Sequence, residues 1–311
     1  MAKPTAAQIA EVKAKGFLHN RGTECFSGRA ITENGVLTAA QLKNLAECAE
    51  KYGNGTVTFT TRLTVEMPGI HFDDIPAVQA HVAQEGMMTG GTGAKVRPVV
   101  ACKGTTCVYG NFDTQALAKE IHDRYFMGWS EVRLPHKFKI AVGGCPNSCL
   151  KPSLNDFGIE GHSPLVVDMD KCRHCKRCLV AERCPMKAVQ VTDGAPVRDE
   201  AICTTCGVCT RTCPFGAYSS QGDALYRIFI GGTWGKKTRM GTALSRLVTH
   251  EEIFPLLEKT MLWFKENAYQ KERLGAAIDR IGVDKLEAAL FVDDLLERKE
   301  AILAAPILQR G

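Results

Sequence analysis

The chain has 311 residues, 45% hydrophobic and 23% charged, with a formal net charge of +5, ordinary values for a soluble globular protein with room for two or three domains. The charge excess is too mild to point to nucleic acid and favours small anions or an acidic partner only weakly. The start, "MAKPTAAQIAEVKAKG", lacks a signal-peptide core, and no run of about 18 apolar residues offers a membrane span, so a cytoplasmic protein is expected.

Residues 5–15 read as a short helix stopped at Gly16. A second helix is expected over 38–52: Thr38 and Gln41 have capping-box spacing, Leu42, Leu45, Ala46 and Ala49 repeat at helical intervals, and Gly53 follows as a stop. "TVTFTTRLTVEM", residues 56–67, alternates and predicts one strand, with Val57, Phe59, Leu63, Val65 and Met67 on one face and Arg62 among threonines on the other. A helix over about 74–85, a strand at "VRPVVA", a helix over about 113–126 and a buried strand over 138–142 come next. Between about 161 and 221 the periodicity fades and cysteines recur, as in an inserted small domain. Strand-like "ALYRIFIGGTWG" resumes, and residues 249–308 read as helical. The alternation predicts an α+β fold rather than a bundle.

Fourteen cysteines in a chain expected to be intracellular argue for metal ligation over disulfides, because twelve fall in tight clusters. Cys25 and Cys48 stand apart and read as buried structural thiols. "KCRHCKRCLVAERCPMKAV" and "ICTTCGVCTRTCPFGAY" are two copies of one pattern. The second is Cys203-x2-Cys206-x2-Cys209-x3-Cys213-Pro214; the first is Cys172-x2-Cys175-x2-Cys178, then five residues before Cys184-Pro185. This resembles bacterial two-cluster ferredoxins, in which three cysteines bind one cluster and the fourth ligates the other. The resemblance implies one [4Fe–4S] cluster on Cys172, Cys175, Cys178 and Cys213, and a second on Cys203, Cys206, Cys209 and Cys184. A structural zinc site would use two short pairs rather than two quartets ending in Cys-Pro.

Two further pairs, Cys102-x4-Cys107 and Cys145-x3-Cys149, could hold zinc or one iron–sulfur cluster on spacing alone. Around them "TTRLTVEMPG", "VRPVVACKG", "LPHKFKIAVGGCPNSC" and "NDFGIEG" resemble, in order, the sirohaem-dependent sulfite and nitrite reductase family, most closely its anaerobic and dissimilatory-type members. The resemblance spans about residues 20–290. It implies α/β layers of that family with a helical C-terminus: an N-terminal ferredoxin-like half-domain over 1–90, a sirohaem/[4Fe–4S] domain from 91–163 and 222–311, and an inserted two-cluster ferredoxin domain over 164–221.

By the same resemblance Cys102, Cys107, Cys145 and Cys149 ligate a third [4Fe–4S] cluster, and Cys149 also bridges to the sirohaem iron. The family commonly has five residues inside the first pair, where this chain has four. Arg62, Arg97, Lys137 and Lys139 match the cations that hold the substrate anion, as charge-assisted donors can. His136 stands where the family has arginine and reads as a surface histidine. Sirohaem carries eight carboxylates, so Lys95 in "TGGTGAK" and Lys236, Lys237 and Arg239 in "GGTWGKKTRMG" are candidate contacts, though both stretches could equally be solvated loops.

The implied activity is six-electron reduction of sulfite to sulfide, with electrons arriving through the ferredoxin domain from a flavoprotein subunit or a ferredoxin. Nitrite reduction and a non-enzymatic polyferredoxin are the alternatives. Larger family members carry two copies of this unit, with cysteines from one and lysines from the other. A single copy therefore implies a homodimer sharing its sites, or a place in a hetero-complex.

Overall fold

Thr5 and Thr38 each close a capping box, Thr5 with Gln8 and Thr38 with Gln41, and so begin the helices Ala6–Lys13 and Ala39–Tyr52. Each such cap contributes about 1 kcal/mol by satisfying amides that a helix start leaves unpaired. The computed structural model describes residues 3–310. Residues 1, 2 and 311, the tips of the expected outer segments, lie outside it. The chain forms two units: one holds the N-terminal stretch through Ala101, Ala118–Ile140 and everything from Glu258; the other holds Cys102–Leu117 and Ala141–Leu257.

In the first unit a four-stranded antiparallel sheet runs in the order Phe17–His19, Phe26–Ala30, Val65–Ile70, Thr58–Phe59. Helix Ala39–Tyr52 packs on Val65–Ile70 and on helix Ile75–Ala83. Phe17, Phe26, Leu45, Met67, Val78 and Val82 are fully buried between them. Cys48 belongs to this core, and burial pushes its thiol up to about 11. Cys25 is only partly buried, not enclosed as expected, with its Sγ 3.8 Å from His71 Nδ1.

The single strand expected over 56–67 is instead a hairpin. Thr58–Phe59 folds back on Val65–Ile70, pairing Thr58 with Glu66 and Phe59 with Val65. Thr60 N–H donates to Thr64 O at 2.9 Å, the two threonine hydroxyls lie 2.7 Å apart, and Arg62 N–H donates to Thr60 Oγ1 at 3.2 Å. Hydroxyls that bond nearby backbone offer an alternative to the ladder, and an alternating pattern does not reveal it. Leu63 takes a left-handed backbone, φ 59°, and Phe59 is 71% exposed. Arg62 therefore sits in a turn rather than on a strand face.

The helix expected over 113–126 is Thr114–Ile121, continued by a π-helical turn over His122–Met127. The strand at "VRPVVA" shrinks to Val100–Ala101, with Val96 bridged in parallel to Phe138. The helical C-terminal stretch contains His250–Asn267, Leu274–Ile281, Val283–Leu290, Asp294–Glu297 and Lys299–Ala304. Buried Lys259 is held there by Asp293, 2.6 Å away, and by the Leu290 carbonyl.

In the second unit the sheet order is Thr242–Ala243, Leu225–Ile230, Phe157–His162, Ile140–Gly143. Leu225–Ile230 and Phe157–His162 pair antiparallel from Leu225 opposite His162 to Ile230 opposite Phe157. Residues 164–221 form two small antiparallel pairs, Leu165–Val167 with Tyr218–Ser220 and Val189–Thr192 with Ala195–Arg198, plus helices Leu179–Arg183 and Val208–Thr212. Their core is four buried residues, Val180, Val189, Ala217 and Tyr218, with Cys172, Cys178, Cys209 and Cys213 packed against it. So few apolar side chains seldom hold a domain without a staple.

Candidate functional site

In the second unit the two cysteine pairs are joined through glycines. Cys102 N–H donates to Val142 O at 3.0 Å, and Gly144 N–H donates to Cys102 Sγ at 3.2 Å. Asn111 N–H donates to Gly144 O at 3.0 Å and Asn111 Nδ2 to Gly161 O at 3.1 Å. A Cβ on Gly104 would stand 2.5 Å from Thr114 Cγ2 and 3.2 Å from Gly144 Cα, so side chains at these glycines would force the loops apart. Thr114 Oγ1 donates to Cys102 O at 2.8 Å and pins the first loop to its helix.

Burial raises the Cys145 thiol above its ordinary value, and nearby Cys102, Cys149 and Cys107 raise it further. Ionisation of Cys145 thus carries a cost that a cationic centre would relieve. Cys149 alone of the four is exposed. Ser148 and Lys151 both adopt left-handed backbone, φ 52°, as the loop turns past it.

The cysteines of the two quartets gather around two cavities. Cys172, Cys175, Cys178 and Cys213 line one cavity of about 250 Å³ together with Pro214 and Tyr218. Cys184, Cys203, Cys206 and Cys209 line a narrower one with Pro185 and Val189. Ala188 N–H donates to Cys184 Sγ at 3.3 Å. Among the described residues no three His, Cys, Asp or Glu side chains close to single-ion spacing. Quartets around cavities suit a four-iron cube, which spreads its thiolates wider than one zinc ion does.

The two cysteine loops differ in setting. Around Cys175 the loop is exposed and basic, with Lys171, Arg173, Lys176 and Arg177 at the surface. The Cys203 loop turns inward: Ser163 N–H donates to Thr205 O at 2.8 Å, and His162 Nδ1 lies 2.8 Å from Thr205 Oγ1.

The predicted anion-holding cations lie in the first unit. Lys137 and Lys139 are partly exposed on either side of fully buried Phe138, whose ring is 6.1 Å from that of Phe264. Phe138 N–H donates to Lys95 O at 3.0 Å and Arg97 N–H to Phe138 O at 2.8 Å, which sets the two cation-bearing segments side by side. Arg97 Nη1 donates to Gly91 O at 2.6 Å. Arg62 donates from Nε and Nη2 to Pro98 O, at 3.0 and 2.6 Å, and from Nη2 to Ile140 O at 2.8 Å. It ties together the residues next to Arg97 and Lys139.

His136 is partly buried rather than a surface residue, and its Nδ1 accepts Lys137 N–H at 2.7 Å. Burial, then the cations Arg273, Lys137 and Arg97, push its pKa down to about 4, so it is neutral at neutral pH. Arg273 had no signal in the sequence, being one of several charges in a stretch expected to be helical. Only the fold, with Lys271 N–H donating to Pro135 O at 2.9 Å, brings its segment to this one.

Of the candidate carboxylate contacts, Lys95 Nζ lies 4.0 Å from Glu131. Lys236 and Lys237 occupy the exposed tip of a hairpin closed by Thr233 and Arg239. Arg239 turns into that hairpin, donating to the carbonyls of Gly231 and Met240 and to Thr242 Oγ1. The hairpin is seated on the loop after Cys149: Gly241 N–H donates to Ser153 O at 2.7 Å, and Lys151 Nζ stands 5.9 Å from the Trp234 ring centre. Trp234 and, beside Cys107, Val108 are 65% and 74% exposed. Exposed apolar and basic side chains near an accessible thiol fit a flat macrocycle with carboxylate edges.

Residues 92–299 match the nitrite and sulphite reductase 4Fe-4S domain, and residues 18–85 match the nitrite/sulfite reductase ferredoxin-like half domain. The chain is 32% identical over 248 residues to a coenzyme F420-dependent sulfite reductase of Methanocaldococcus jannaschii, covering 79% of this chain and 38% of that protein. It is 31% identical over 260 residues to a subunit of the anaerobic sulfite reductase of Salmonella typhimurium, covering 78% and 73%. The crystal structure of dissimilatory sulfite reductase I has the same fold, with a TM-score of 0.71 at 20% identity over 86% of this chain and 69% of that one. The chain thus spans well under half of the first of these relatives and about three quarters of the second. Among the described residues no helix is long and apolar enough to cross a membrane.

Proposed function

The chain belongs to the nitrite and sulfite reductase family of oxidoreductases, and from that premise we propose that it reduces sulfite to sulfide. The observation that carries the reading is the second unit's cysteine group: Cys102, Cys107 and Cys145 partly buried, Cys149 exposed, with a basic, aromatic hairpin seated on the loop that follows it. Three sheltered thiolates and one accessible thiolate suit a cluster with one ligand shared outward. Cys102, Cys107, Cys145 and Cys149 would hold that [4Fe–4S] cluster, with Cys149 also meeting sirohaem iron. Lys236, Lys237 and Lys95 would meet its carboxylates, and Arg239 would shape the hairpin that presents the lysines. Sirohaem, when bound, would supply the redox-active iron that a six-electron reduction needs and that no side chain can replace.

The chain's own part is to hold and neutralise the anion. Lys137, Lys139 and Arg97 supply positive donors, and Arg62 fixes their separation through the Pro98 and Ile140 carbonyls. Neutral His136 accepts a hydrogen bond from the Lys137 amide at Nδ1 and adds no further charge. Bisulfite takes up six electrons and six protons to give hydrosulfide and three waters, so cationic side chains also favour departing oxygen.

Electrons would arrive at the exposed, basic Cys175 loop from an acidic carrier protein, a flavoprotein or a ferredoxin, and pass inward to the Cys203 loop. One copy of the unit per chain supports a two-fold dimer in which Lys137 and Lys139 serve the partner's haem. Light scattering that finds a fully active monomer would remove the dimer. The deciding experiment is an anaerobic spectrum with iron and sulfide analysis, on protein from a host that makes sirohaem. Bound macrocycle and three clusters support the reading, and absence of macrocycle overturns it. Turnover of sulfite and nitrite with reduced methyl viologen separates the two anions.

A further inference from the structure

The two cysteine quartets also differ at one core position, where only one of them faces a hydroxyl. The repeat aligns Cys184-Pro185-Met186-Lys187-Ala188-Val189 with Cys213-Pro214-Phe215-Gly216-Ala217-Tyr218. Val189 and Tyr218 hold matching places in the shared core, 6% and 3% exposed. Val189 lines the cavity of Cys184, Cys203, Cys206 and Cys209; Tyr218 lines that of Cys172, Cys175, Cys178 and Cys213. The Tyr218 hydroxyl is sealed from solvent and has no hydrogen-bond partner among the described residues. Such a group is costly to bury, and phenylalanine would fill the same space without that cost. The thiols of Cys178, Cys209, Cys172 and Cys213 stand near it, with the cavity between.

We propose that Tyr218 donates a hydrogen bond from its hydroxyl to a sulfur of the iron–sulfur cluster held by Cys172, Cys175, Cys178 and Cys213, making it the more easily reduced of the two ferredoxin clusters. The inference rests on the reading that these cysteines hold a cluster. A donor aimed at cluster sulfur stabilises the reduced form, which carries one more negative charge. The other cluster faces Val189 and receives no such bond from the matching position. A phenol is protonated at neutral pH, so the hydroxyl is a donor. The favoured cluster is also the one on the exposed Cys175 loop.

The test is a redox titration of the full holoprotein, followed by electron paramagnetic resonance. In Tyr218→Phe one cluster should become about tenfold harder to reduce, roughly 59 mV for one electron, while the other two midpoints stay. Site-specific Tyr218→3-fluorotyrosine, a stronger donor of nearly the same size, should move the same midpoint upward. It also decides the matter if the phenylalanine variant loses its cluster. Loaded variants with unmoved midpoints overturn the role of Tyr218 and leave the cysteine assignment standing. Wild-type protein without this cluster removes both.

Discussion

Replacing Arg62 with alanine separates two roles for this side chain. The guanidinium makes three hydrogen bonds to two carbonyls, Pro98 O and Ile140 O, that flank Arg97 and Lys139. Bonds from a charged donor contribute about 1.5–3 kcal/mol each, but Arg62 is partly exposed and water replaces some of what is lost. A net loss of about 2–4 kcal/mol is expected. At a urea dependence of about 3 kcal/mol per molar, the unfolding midpoint should fall by roughly 1 M. Arg62→Lys should recover less than half, because an ammonium is a point donor and cannot fork between two carbonyls. In steady-state assays Arg62→Ala should raise KM for sulfite about tenfold, as the two cation-bearing segments lose their fixed spacing. The reasoning is refuted if Arg62→Ala keeps the wild-type midpoint while KM rises, since the side chain would then act on the anion alone.

On the proposed ligand assignment, Cys213→Ser should cost the protein the cluster of the Cys172 loop although it sits in the other loop; iron analysis should then fall by one cluster of the proposed three, with the Cys203-loop signal retained. Gly144→Ala should destabilise by about 1–3 kcal/mol and lower cluster occupancy, because the new Cβ meets Gly104 Cα and Thr114 Cγ2 at 3.1 Å; thermal unfolding and iron content check this. His136 is held down to about 4 by burial and by Arg273, Lys137 and Arg97, whereas the unfolded side chain titrates near 6.5. Between those values the unfolded chain binds more protons, so stability should fall as pH drops through that window and level off below it, by no more than about 2 kcal/mol after solvent screening. Denaturation at pH 4 and 7, with His136→Asn losing that part of the difference, tests it. Chelating the iron should melt residues 164–221 before the rest, seen as fast amide exchange confined to that segment, because four buried residues cannot hold it alone.

Spacing carried the local part of this protein. Thr38 with Gln41 announced the helix that follows, and the spacing of the two quartets marked the cysteines that line the two cavities, because caps and cysteine loops are built by residues a few positions apart. The alternation around Arg62 misled, since threonine hydroxyls closed a turn that a period of two cannot distinguish from a strand. Arg273, His136 and the Tyr218 hydroxyl were beyond reach for another reason. Their character comes from neighbours far away in the chain: Arg273 approaches His136, the hydroxyl lies beside cysteines of both loops, and burial withdraws each group from water. Residue types and intervals name which chemistry a chain can hold. Desolvation and long-range proximity, which exist only once the chain is packed, decide which of those groups are neutral, clamped or aimed at the site.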